Sequence, residues 1–153
     1  AEVIAGWILM EERYPDKFLV SPAYSSGRGF LQWQMVDAFY SQYGRYPRFD
    51  AIAVHYYPMW PHGYTLETYL EYMHDEATDR GYSGEIWLTE FGSCLPDAEQ
   101  WMEDSLALFK TLPYVTRYAW FTARTGELWP CGSNLVDSSG NLTPLGEIYI
   151  NRR

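Results

Sequence analysis

Glu90 closes the run Ile86-Trp87-Leu88-Thr89, and chemistry is first expected there. A carboxylate at the end of an apolar segment is costly to bury unless it is paired or hydrogen-bonded. As a functional group it suits nucleophilic attack or base catalysis. As a structural one it would be held by Arg117 or by a loop N–H. His55 follows a second apolar run, Ala51-Ile52-Ala53-Val54. It is either a satisfied structural histidine or a donor to Glu90 or to ligand hydroxyls. Tyr57, Trp60, Trp120 and Trp129 fall on or just past the ends of such runs. Sugar rings have apolar C–H faces that stack on flat aromatic surfaces and leave their hydroxyls for polar neighbours. Each Trp alone is equally a core plug, but several near Glu90 favour a carbohydrate cleft. Trp33, Trp87 and Trp101 are expected to pack instead, and His62 and His74 to lie in a loop and on a helix surface.

Three scattered His and two distant Cys lack metal-ligand spacing, so neither a metal nor a cofactor is expected. Cys94 and Cys131 fall in loops that follow successive apolar runs. A disulfide clamping those loops is one reading and two free thiols the other. No His is placed to activate either Cys as a nucleophile.

The elements that must position these residues read from the hydrophobic pattern. A helix is expected over Ala1–Tyr14, ended by Pro15. Phe18-Leu19-Val20 reads as a short buried strand, and Phe30 to Tyr43 as a helix broken by Gly44 and Pro47. Asp50–Tyr57 is the second strand, nearly unbroken as in a parallel strand covered on both faces. Leu66 to about Arg80 is helical, with Thr65 and Thr68 only a weak cap. Ile86–Phe91 is the third strand. A helix starts at Asp97, with Gln100 completing the cap. Val115–Phe121 is the fourth strand, and Pro144–Ile150 a last short helix. Leu135-Val136 is expected to pair briefly between them.

Strand starts near 18, 50, 86 and 115 give βα spacing. That argues a parallel sheet with covering helices, either doubly wound or part of a (β/α)8 barrel. A complete barrel usually needs ~250 residues, and this chain has 153. No Gly-rich phosphate loop follows the first strand. In a parallel sheet the strand C-termini share one face, which gathers Ser21, His55, Tyr57, Glu90 and Trp120.

Composition narrows the partners. Hydrophobic residues make up 47%, too many for a disordered chain. Eleven Lys and Arg against twenty Asp and Glu give −9, which disfavours nucleic acid. No run approaches the ~20 apolar residues of a membrane span. Fourteen Tyr and seven Trp suit a neutral, flat ligand. The chain begins at Ala1 inside a helical pattern, so a trimmed or partial chain is expected.

Trp87-Leu88-Thr89-Glu90-Phe91-Gly92 resembles the Asl1-like glycoside hydrolase catalytic domains, related to the family 128 β-1,3-glucanases. Phe18-Leu19-Val20-Ser21-Pro22-Ala23 looks like that family's fifth strand. Phe49–Tyr57 looks like its sixth, Val115–Phe121 like its eighth, and Asn134–Gly146 like its closing segment. The resemblance implies a partial (β/α)8 TIM barrel over residues 1–153, a leading helix plus four βα units matching strands 5–8. It implies retaining hydrolysis of a β-glucan, with Glu90 as the nucleophile. His55 matches the strand-six histidine, and Trp120 an aromatic lining the subsite beside the cut. The family's acid/base is a Glu in an Asn-Glu pair, and no such pair occurs in this chain. Glu127 and Asp97 are the internal candidates, and the other source is a segment outside this one. The expected partners are an oligo- or polysaccharide, and either a complementary N-terminal half-barrel or a second copy joined through open strand edges. An extracellular or cell-wall location goes with this reading. A carbohydrate-binding or structural half-barrel without hydrolysis is the alternative.

Overall fold

The computed structural model describes residues 2–25, 28–58, 63–125 and 132–152. Helices and strands alternate along them: α1 (Glu2–Arg13), α2 (Gly29–Tyr43), β1 (Ile52–Tyr56), α3 (Leu66–Asp79), β2 (Ile86–Phe91), α4 (Ala98–Phe109), β3 (Val115–Trp120) and α5 (Pro144–Arg152). The strands form a parallel sheet in the order β1-β2-β3. Each returns through a helix, as parallel pairing requires. The result is an open α/β arrangement, barrel-like in its βα order. Among the described residues the sheet does not close. None of the described helices is long and apolar enough to cross a membrane.

The expected first strand, Phe18-Leu19-Val20, contracts to a single parallel bridge between Val20 and Ala51. Side chains take over part of its ladder. The Leu19 N–H donates to Asp50 Oδ2 at 2.6 Å. The Asp50 N–H donates to the Leu19 carbonyl, and the Ser21 N–H to that of Ala51. Ser21 is a buried peg rather than a rim residue. Its Oγ accepts from the Ala53 N–H at 2.9 Å and from Gln32 Nε2 at 2.7 Å.

One face of the sheet carries the core. Val54, Ile86, Leu88 and Phe91 are buried against Leu70, Met73, Met102, Leu106 and Phe109 of the helices. Burying each such side chain contributes roughly 1.5–3 kcal/mol. The other face is bare over β2 and β3. There Trp87 and Thr89 are half-buried, and Arg117 and Ala119 exposed. Burial on both faces holds for β1 alone.

Capping differs from the sequence reading in two places. Thr65 and Thr68 form a complete reciprocal box at the start of α3, so a threonine hydroxyl serves where Glu or Gln is usual. Asp97 makes no side-chain cap bond to α4, and Gln100 instead donates to Asp104 on the helix surface. His74 is not a surface residue either. Its ring is half-buried and stacks on Tyr114 at 4.0 Å, with Nδ1 2.8 Å from the Gly84 carbonyl.

Candidate active site

β1 and β2 lie side by side in a register that sets His55 opposite Glu90. An irregularity between Val54 and His55 accompanies this pairing. It falls where the strands stop building core and begin presenting polar groups, a usual place for such breaks. Tyr57, one residue past β1, donates its phenol to Glu90 Oε2 at 2.7 Å. His55 Nδ1 lies 3.4 Å from the same oxygen. Both groups therefore address one carboxylate oxygen, while the Glu90 side chain stays 35% exposed. Arg117 does not hold Glu90, because its guanidinium lies over the Trp87 ring.

The two neighbours titrate away from their ordinary ranges. Burial pushes the Tyr57 phenol up, helped by its bond to Glu90 and then by that group's charge. Tyr57 is thus a fixed donor at any working pH. Burial pulls His55 down, and the attraction of Glu90 only partly opposes it. The imidazole is therefore neutral at neutral pH. Below the ordinary histidine value near 6.5 the unfolded chain takes up a proton that the folded site resists. Stability should fall as pH drops through 6.5 toward the lower folded value. Melting temperatures measured between about pH 7.5 and 5.5 should show this slope, and His55→Gln should flatten it. An unchanged slope in the variant would contradict the assignment.

The aromatic at the end of β3 differs from the one expected. Trp120 is 5% exposed and faces the helices. Its ring packs on Phe91 at 5.2 Å and on Trp101 at 5.9 Å, and Nε1 donates to the Ser133 carbonyl at 2.7 Å. The next residue, Phe121, meets Tyr57 edge-on with ring centroids 6.2 Å apart. Its N–H donates to the Phe91 carbonyl at 2.8 Å. The alternation of β3 carried this signal. Arg117 and Ala119 face the bare side of the sheet, so residue 121 does too, and Trp120 falls opposite with Tyr118. Gly92 makes the closeness of these groups possible. A Cβ there would lie 2.6 Å from the Phe121 carbonyl oxygen and 3.5 Å from Tyr57 Cε1.

Trp60 and Trp129 lie outside the described residues, as do His62, Glu127 and Cys131. Cys94 is half-buried and is not a free thiol. Asp97 is exposed at the start of α4. Among the described residues no three His, Cys, Asp or Glu side chains group to hold a metal ion. The arrangement offers a half-exposed carboxylate oriented by a phenol and a neutral imidazole, beside a Tyr57–Phe121 wall. That combination can attack an electrophilic carbon while an apolar ring face rests nearby.

Comparison with known proteins places the chain in a family. Residues 2–149 match the family model described as glycosyl hydrolase catalytic core. Alkali-sensitive linkage protein 1 of Schizosaccharomyces pombe is 33% identical in an alignment of 114 residues that covers 67% of this chain and 20% of that protein. Among solved structures, an endo-β-1,3-glucanase of glycoside hydrolase family 128, subgroup II, from Sorangium cellulosum superposes with a TM-score of 0.69 at 25% identity. The match covers 98% of this chain and 61% of that one. A curdlan-specific exo-β-1,3-glucanase of subgroup III from Blastomyces gilchristii gives 0.73 at 24% identity, over 97% of this chain and 61% of that one. A variant of the subgroup I endo-β-1,3-glucanase from Amycolatopsis mediterranei gives 0.73 at 18% identity, over 99% and 64%. The last two likenesses concern the fold alone. The chain spans about a fifth of the yeast protein and less than two thirds of each glucanase. Within those spans, the chain belongs to the glycosyl hydrolase catalytic core family, on its Asl1-like branch related to the family 128 β-1,3-glucanases.

Proposed function

We propose that this chain is the nucleophile-bearing part of a retaining β-glucan hydrolase, with β-1,3-glucan as substrate and Glu90 as nucleophile. The observation that supports it most is the Glu90 carboxylate held on one oxygen by Tyr57 and flanked by His55 at adjoining strand ends. In the first step a Glu90 oxygen attacks the anomeric carbon. The bond from that carbon to the leaving oxygen breaks as a second carboxylic acid protonates it. In the second step water, deprotonated by the same group, displaces Glu90. Retaining hydrolysis sets the two carboxyl groups about 5–5.5 Å apart. The second is supplied from outside residues 1–153, in which no Asn-Glu pair like the family's occurs. The four βα units then correspond to strands five to eight of a (β/α)8 barrel, preceded by the helix after strand four. Tyr57 orients the nucleophile, and Tyr57 with Phe121 walls the sugar site. Trp120 supports that wall from the helix side, and Trp60 and Trp129 are assigned to the substrate rim on sequence grounds. A Cys94–Cys131 disulfide and an extracellular or cell-wall setting accompany the reading.

The second reading is a glucan-binding or structural half without hydrolysis. Laminarin separates the two. The assembled enzyme should release reducing ends and lose that activity without Glu90. Binding with no reducing ends released would leave only the second reading.

A further inference from the structure

α2 ends in a group of tyrosines at the pole of the sheet opposite Glu90. They lie on its last turn and on the loop before β1, whereas Glu90 sits near the C-terminal end of β2. Gly44, at a φ of +70°, stops the helix, and its N–H donates to the Tyr40 carbonyl at 2.8 Å. Glycine takes that left-handed conformation without strain and turns the chain back. The Tyr46 ring then meets the Tyr40 ring with centroids 4.6 Å apart and planes at 38°. Tyr46 packs on Tyr82 at 6.3 Å, and Tyr82 stacks on Phe49 at 5.4 Å. The Tyr82 phenol donates to the Pro47 carbonyl at 2.8 Å. Tyr40 and Tyr46 are therefore the outer rungs of a ladder of rings rooted in the buried Phe49. Tyr40 remains 48% exposed and Tyr43 41%. The fold holds these rings in place before any ligand arrives, which lowers the entropic cost of binding.

This face is independent of the open edges of the sheet. The end of α2 is tied to α1 by the Arg45–Glu11 pair, and α2 to α3 by Arg80 bound to Asp37, so a neighbour already stands on each side. The charges around the tyrosines say what fits. Arg45 is taken by Glu11, and Arg80 by Asp37 at 3.0 Å and Glu76 at 2.8 Å. Arg48 donates to the carbonyls of Tyr14, Pro15 and Lys17. None of these three cations is left to draw an anionic ligand, and the net charge of −9 repels one. Residues 37–50 contain no Leu, Ile, Val or Met, so the patch has no aliphatic centre to dry against a protein. It offers ring faces, phenol groups and the exposed Ser41 and Gln42, with Gln42 Nε2 bonded to the Tyr43 phenol at 3.1 Å. Those groups suit a neutral sugar chain, whose C–H faces stack on rings while its hydroxyls meet phenol and amide groups.

Resting on the reading above for the identity of the sugar, we propose that the Tyr40–Tyr46 face is a second, non-catalytic site for the same neutral β-glucan. It holds a polymer chain while Glu90 works at the other pole. A short oligosaccharide in the cleft gains nothing from it. Insoluble glucan presents many chains at once, and attachment at two points then raises the overall affinity.

The test measures adsorption of the assembled enzyme to curdlan particles, beside hydrolysis of curdlan and of laminarihexaose. Tyr40→Ala/Tyr46→Ala should lower adsorption about fivefold or more and slow curdlan hydrolysis, with laminarihexaose turnover unchanged. Tyr40→Ala alone, at the more exposed ring, should lower adsorption about threefold and serves if the pair melts early. Tyr40→Phe keeps the ring and should stay within about twofold. Circular dichroism confirms that the variants fold. Three results would overturn the proposal: no adsorption of the unaltered enzyme, equal adsorption of the folded alanine variants, or an equal loss by them on laminarihexaose. An enzyme that adsorbs through these tyrosines but releases no reducing ends defeats the catalytic reading alone. Hydrolysis of both substrates with adsorption indifferent to Tyr40 and Tyr46 defeats the second site alone.

Discussion

Glu90→Gln is expected to abolish glucan hydrolysis by the assembled enzyme while leaving its fold and assembly intact. The amide keeps the size and the acceptor oxygen that receives the Tyr57 phenol. It removes the charge and the nucleophilicity. Loss of a covalent nucleophile typically lowers turnover by about 10⁴-fold or more, which is about 5 kcal/mol of barrier. Initial rates on laminarin check this, with binding of laminarin oligosaccharides as the control for an intact site. A variant within tenfold of the unaltered rate would remove Glu90 from the chemistry. The partial exposure of Glu90 matters here, because a carboxylate sealed in the core would give the same loss by unfolding.

Gly92→Ala is expected to damage both stability and the site, for a steric reason alone. The added Cβ would meet the Phe121 carbonyl oxygen, a backbone atom of the neighbouring strand end that cannot rotate away. The Phe121 N–H is also committed to the Phe91 carbonyl at 2.8 Å, so strand separation breaks a ladder bond. Overpacking of this kind costs about 1–3 kcal/mol. In a chain of this size, where each kcal/mol moves the midpoint by about 2–4 °C, that corresponds to a melting temperature lower by about 2–12 °C. Any relief also shifts Phe121 or Tyr57, and with Tyr57 the hold on Glu90. Gly6→Ala on α1 supplies the opposite sign. A Cβ there meets nothing within 4 Å, and replacing a mid-helix glycine stabilises by about 0.5–1 kcal/mol. Thermal melts of the two variants beside the unaltered chain test the pair. Equal melting temperatures for both would refute the steric account.

What the sequence conveyed depended on how each residue is used. β2 runs Ile86–Phe91, as its apolar run implied, and α2 and α3 sit within a residue or so of their periodic patterns. Glu90, His55 and Tyr57 could be brought together from sequence because strand ends of a parallel sheet share one face. Three features were not legible, each for a local reason. The Phe18–Val20 run was apolar, but Asp50 and Ser21 side chains replaced part of its ladder. Trp120 carried the expected aromatic type, but the two-residue period of β3 turned it to the helices and put Phe121 on the site side. Trp87 looked like ordinary core, yet it lies on the bare face between Phe18 and Arg117. A residue facing a sheet surface with no cover has the same composition as one facing a core, and only the missing layer distinguishes them.

On the proposed mechanism Glu90 forms the covalent bond to the sugar. The direct measurement is the mass of the Glu90-bearing peptide after the assembled enzyme reacts with a 2-deoxy-2-fluoro-β-glucosyl donor carrying a good leaving group. The fluorine disfavours the positively charged transition states of both steps, and the leaving group keeps the first step faster than the second. The glycosyl ester then accumulates. One added fluoroglucosyl unit is expected on Glu90 and none in Glu90→Gln. A label on any other carboxylate, or hydrolysis that proceeds with no label at all, would contradict that mechanism.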